Sequence, residues 1–130
     1  MPESPYNTED LPEISAGVAR STITPDGRPW LAGYYHERIG ETVRDDLHCR
    51  ALILDDGECR ICMITMDLVS INREWADAAR EMIVERLGIP ADRIIISATH
   101  THTGPSVGQG RPNTPQEWLE DLPGMIADTA

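Results

Sequence analysis

Positive charge is scarce in this sequence: 11 Lys and Arg stand against 22 Asp and Glu, a formal net charge of -11. A surface so acidic repels phosphate backbones and anionic lipid headgroups, which argues against nucleic-acid binding. Cysteine is also scarce. Cys49, Cys59 and Cys62 are too few, and odd in number, for a disulfide framework, and this points to a reducing compartment. Cys59-Arg60-Ile61-Cys62 spells C-x-x-C, yet all three cysteines fall in segments that read as strands, where i and i+3 face opposite sides and do not clip one metal. Long apolar runs are missing, since no window approaches the roughly 18 residues of a membrane span. The first fifteen residues are acidic and proline-containing, not basic then apolar, so no secretory signal is visible and a cytoplasmic location is the expectation.

What remains is an ordinary globular composition, 40% hydrophobic and 25% charged over 130 residues, enough for one core. Residues 1–13, with Pro2, Pro5, Pro12 and four acidic side chains, read as a disordered terminus. Residues 14–130 read as one unit, the front portion of a larger α/β domain. Ile14 to Ile23 is β-like and stops at Thr24-Pro25-Asp26-Gly27. Residues 28–46 form a long irregular loop holding Trp30, Gly33, Tyr34, Tyr35, His36 and Gly40, and a loop of that length is usually functional or mobile. His48 to Leu54 and Arg60 to Leu68 are strands joined by Asp55-Asp56-Gly57-Glu58, a hairpin signal.

The strand 60–68 is apolar on both parities, which predicts a central strand with Asp67 at its carboxyl end. Asn72 then reads as an N-cap, and Trp75, Ala79, Met82, Ile83 and Leu87 mark one face of a helix over 73–87, closed by Gly88 and Pro90. Ile94-Ile95-Ile96 opens a further strand, 93–98, with the look of one buried on both faces. The fold class is therefore α/β, a mixed sheet with a β-hairpin and a right-handed βαβ unit. Beyond it, Thr114-Pro115-Gln116-Glu117 reads as a capping box with proline at N1, opening a helix interrupted by Pro123.

Parallel pairing of the last two strands brings Asp67 and His100 out at the same end of the sheet, 33 residues apart in sequence. There, in Ser97-Ala98-Thr99-His100-Thr101-His102-Thr103-Gly104-Pro105, two histidines follow the apolar run. On a locally extended chain, imidazoles at i and i+2 point to one side, roughly 7 Å apart at Cα, near enough to converge on one ion or one substrate atom. The alternative is a pair of polar loop histidines bonded to backbone or water. A catalytic zinc takes three protein ligands plus water, and His36, His48 and Asp67 are the plausible additions; each also has a purely structural reading. Zinc would polarise a carbonyl, Asp67 would serve as ligand or as partner to an imidazole, and Arg20 would stabilise an oxyanion if its strand lies beside the site. A metallo-β-lactamase-like site would continue His-x-His with x-Asp-His, which Thr103-Gly104-Pro105 does not. An amidohydrolase barrel would carry the motif on its first strand.

The stretch Ala98-Thr99-His100-Thr101-His102-Thr103-Gly104-Pro105 resembles the Ala-Thr-His-Thr-His-Ser-Gly-Pro signature of the neutral (alkaline, non-lysosomal) ceramidases. Ala16 to Pro25 is similar to that family's opening Gly-Val-Gly-Arg-x-Asp-Ile-Thr, and His48 to Asp67 follows in the same order. Ser21-Thr22 departs from the opening motif, and Thr103 stands for Ser. The resemblance implies a zinc-dependent hydrolase of N-acyl amides such as ceramide, with His100 as zinc ligand and His102 as the catalytic residue near the substrate amide. It also implies that a further His, a Glu and a Tyr from later in such a chain complete the zinc site. An N-acyl lipid or other small-molecule amide is the implied substrate. A noncatalytic module with the same fold and an incomplete site is the other reading.

Overall fold

A computed structural model describes residues 13–108 and 113–130. The expected disordered terminus thus falls almost wholly outside the described residues, as do residues 109–112 of the glycine-containing stretch between Pro105 and Thr114. Four strands form one sheet in the order β1-β2-β3-β4: β1 is Ser15–Thr22, β2 is His48–Asp55, β3 is Arg60–Met66 and β4 is Ile94–Ala98. The β1-β2 and β2-β3 pairs are antiparallel and β3-β4 is parallel, with Met66 opposite Ala98. The mixed sheet, hairpin and β-α-β connection match the sequence reading.

The β2-β3 turn is made by side chains. Asp56 Oδ1 accepts from the N–H groups of Glu58 and Cys59, and Asp55 Oδ1 accepts from the N–H of Gly57. Cys59 accordingly lies in the turn and not in a strand. Helix α1, Arg73–Leu87, has the predicted bounds. It ends at Gly88, whose φ of 66° places it in the left-handed region and lets its N–H reach the Val84 carbonyl at 2.9 Å. Asn72 holds the N-cap position, but its amide is spent elsewhere, donating to the Val107 carbonyl.

Helix α2, Gln116–Thr129, begins after an N-cap at Pro115, so the predicted capping box does not form. Thr114 donates its hydroxyl hydrogen to the Ser106 carbonyl instead. The helix also runs uninterrupted through Pro123. Proline removes one intrahelical bond, and the burial of Trp118, Leu119, Leu122 and Ile126 against the sheet carries the helix across the gap. Trp118 adds a hydrogen bond from its indole nitrogen to the Ile23 carbonyl at 2.8 Å.

Both helices cover the same face. Cys49, Ala51, Cys62, Ile64, Met66 and Ile94 of the sheet meet Ala79, Ile83, Leu122 and Ile126 in one core. The opposite face is uncovered within the described residues. Registered across it runs an apolar row, Val18, Leu52, Met63 and Ile95, in which Val18 is 81% and Ile95 53% exposed. The expectation that Ile94 to Ile96 is buried on both faces is thus corrected: among the described residues β4 is an edge strand with one covered side. β3 is interior, as predicted.

Candidate functional site

The parallel ladder continues one step past the strands, where the Thr99 N–H bonds to the Met66 carbonyl at 2.9 Å. At the next residue the chain turns: His100 takes φ of 63°, a conformation that is uncommon for residues other than glycine. The turn sends the His100 ring toward the segment leaving β3, and its Nδ1 meets the Val69 carbonyl at 2.7 Å. A carbonyl only accepts, so Nδ1 carries the hydrogen, and in the neutral imidazole Nε2 is then the lone-pair nitrogen of an exposed residue. His102 is half-buried, with its ring centroid 5.0 Å from that of His100 and the planes at 79°.

Behind these rings stands a small structure inside the predicted irregular loop. Trp30 and Ile39 pair as an antiparallel bridge, closed by hydrogen bonds from Leu31 N–H to the Arg38 carbonyl and from Gly40 N–H to the Pro29 carbonyl. This hairpin is tied to the histidine loop by Ala32 N–H to the Gly104 carbonyl at 3.0 Å and by Ser106 N–H to the Trp30 carbonyl at 2.8 Å. Its tip lies against His102: the Tyr34 ring meets the imidazole edge-on, centroids 5.8 Å apart. Arg38 lies over the Tyr34 ring at 4.6 Å, and His36 is 5.7 Å from it. Gly33, Tyr34, Arg38 and the Val69 carbonyl are the site-forming groups that the sequence reading did not single out for roles. The Gly33-Tyr34 pair in a long loop was the one available signal.

Asp67 does emerge at the same sheet end as the histidines. Its carboxylate takes two contacts from Arg50 Nη1, at 3.0 and 3.1 Å, and one from the His48 N–H at 2.9 Å. Partial burial pushes its carboxyl pKa upward, but the His48 N–H and the Arg50 guanidinium outweigh that and hold it below the usual carboxylate range. His48 Nδ1 lies 3.9 Å from the same carboxylate. Arg20 is on β1, at the edge opposite β4, three strands away or about 14 Å at ~4.8 Å per strand. It is registered beside Arg50, through which it adjoins Asp67. The structure therefore joins His100, His102, Tyr34 and His36 in one cluster and Asp67, Arg50 and His48 in another. Among the described residues, no group of three or more His, Cys, Asp or Glu is arranged to hold a metal ion. A groove of about 560 Å³ is lined by Thr101 and Thr103 of the histidine loop together with Leu31, Ile39, Val43 and Asp67.

No protein-family model matches the sequence. Among solved structures, neutral ceramidase from Pseudomonas aeruginosa superposes with a TM-score of 0.78 at 18% identity, over 92% of this chain and 21% of that one. A ceramidase complexed with C2 gives 0.74 at 18% identity, over 92% of this chain and 20% of that one. The chain carries the fold found in neutral ceramidase and spans about a fifth of the length of those structures.

Proposed function

We propose that this chain contributes to a zinc-dependent hydrolase of N-acyl amide bonds, acting on ceramide or a related N-acyl lipid. One observation carries the reading: on a ceramidase fold, Nδ1 of His100 in the His-Thr-His motif lies 2.7 Å from the Val69 carbonyl, to which it donates, so that in the neutral ring Nε2 is the nitrogen able to bind a metal. Metal-binding histidines are oriented in this way by a carbonyl or carboxylate on their other nitrogen. His100 is thus the zinc ligand from this part of the protein, with the remaining ligands coming from beyond the His100-His102 pair. When bound, zinc would polarise an acyl carbonyl and acidify water at neutral pH.

His102 would donate a hydrogen bond to the acyl oxygen as the carbonyl becomes tetrahedral, where a well-placed donor gains strength as charge develops. Asp67, locked by Arg50 and the His48 N–H, would hold the shape of the β3 exit that presents the Val69 carbonyl. Arg20 would act on it only through Arg50. The overall reaction consumes one water: its oxygen bonds to the acyl carbon, the C–N bond breaks, the amine nitrogen takes up a proton, and a fatty acid and an amine are released.

The test is zinc per mole and N-acylsphingosine hydrolysis, measured on the purified protein and on His100→Ala. Loss of both in the variant supports the assignment, and unchanged zinc overturns it. A wild-type protein that binds no zinc and hydrolyses nothing would favour the noncatalytic module.

A further inference from the structure

We propose that Gly33 and Tyr34, at the tip of the 29–40 hairpin, are positioning residues that fix the orientation of the His102 imidazole. The inference rests on the reading of His102 as the group that faces the substrate. Its basis is the packing around that ring. A Cβ built on Gly33 would fall 2.4 Å from His102 Cγ, 2.5 Å from Nδ1 and 2.8 Å from Cδ2. Near-equal distances to three adjacent ring atoms mean that the imidazole lies against the glycine backbone, in space that any side chain would occupy. Gly33 also has φ of 88°, which glycine adopts freely and other residues rarely. The position demands glycine twice, once for the turn and once for the neighbour.

Two further rings pack against the imidazole. Tyr34 meets it at 81° and His100 at 79°, the edge-to-face arrangement that ring quadrupoles favour. Arg38 in turn caps Tyr34. The backbone bonds from Ala32 to Gly104 and from Ser106 to Trp30 fasten this hairpin to the loop carrying the histidine. His102 is left with little rotational freedom before a substrate arrives, which is the condition under which a hydrogen-bonding group is most effective.

The experiment uses the purified protein and its Gly33→Ala, Tyr34→Ala, Tyr34→Phe and Tyr35→Ala variants. Two quantities are read: the NMR order parameter of the His102 ring Cε1–H bond, assigned by its loss in His102→Asn, and kcat and KM for N-acylsphingosine. Gly33→Ala and Tyr34→Ala are expected to lower the order parameter and to reduce kcat about 10- to 100-fold, with KM changed far less. Tyr34→Phe, which keeps the ring, restores both. Tyr35→Ala, whose side chain is fully exposed, matches wild type. Should Gly33→Ala fail to fold, Tyr34→Ala decides, because Tyr34 is itself 36% exposed and can be truncated without opening the core. An order parameter unchanged in Tyr34→Ala overturns the proposal. An inactive wild type overturns the functional reading instead, and the order parameters still decide whether the hairpin fixes the ring.

Discussion

The Nδ1 atom of His100 lies 2.7 Å from the main-chain carbonyl oxygen of Val69. Because that oxygen cannot donate, the neutral ring is held in the tautomer protonated at Nδ1. Imidazole ¹⁵N shifts of the metal-free protein at neutral pH should show His100 in this form. Protonation at Nε2 instead would remove the free lone pair on which the zinc assignment depends.

His100 also has φ of 63°. A side chain in the left-handed region costs roughly 1–2 kcal/mol, while one exposed hydrogen bond contributes about 1 kcal/mol. His100→Gly removes both and is expected to leave stability within about 1 kcal/mol of wild type, as read by urea unfolding. Under the zinc assignment the same variant loses at least about tenfold in metal affinity. A large loss of stability would mean that the His100 contact serves the fold first.

The three consecutive isoleucines of β4 differ by parity alone. Ile94 is 5% exposed and faces Cys62 and the helices, whereas Ile95 is 53% exposed on the uncovered face. Ile94→Ala should cost about 2–4 kcal/mol through the cavity it leaves, and Ile95→Ala less than about 1 kcal/mol. Equal costs would show that a further layer covers Ile95 in the protein under test.

That parity was invisible in the sequence for a physical reason: an unbroken apolar run has no alternation from which to read a face. The elements with local chemistry were legible, such as the β2-β3 turn built on Asp55, Asp56 and Gly57, or α1 with Gly88 closing it. So was the emergence of Asp67 and the histidines at one end, which follows from parallel β3-β4 pairing. The partner of His100 was not legible, because Val69 contributes a carbonyl, which every residue has. The Trp30-Ile39 bridge was hidden for the same reason, being held by main-chain bonds among unlike side chains. The helix through Pro123 was missed because its continuity comes from burial, a tertiary effect, against a local penalty.

Asp67 makes stability depend on pH. Its carboxyl pKa is held below the unfolded value, because the contacts from the His48 N–H and Arg50 outweigh partial burial. A depressed carboxylate pKa adds stability that is present above the unfolded pKa of ~3.9 and is lost as pH falls through the lower folded value. Asp67→Asn should therefore be about 1–2 kcal/mol less stable than wild type at neutral pH, with the gap closing progressively below about pH 4. Arg50→Met should reduce the acid sensitivity assigned to Asp67, since it removes the positive partner and leaves the His48 N–H as the main contact. Urea midpoints of the three proteins at neutral pH and near pH 3 check the sign. A wild-type advantage over Asp67→Asn that is the same at both values would assign the stabilisation to shape and not to the ionised carboxylate.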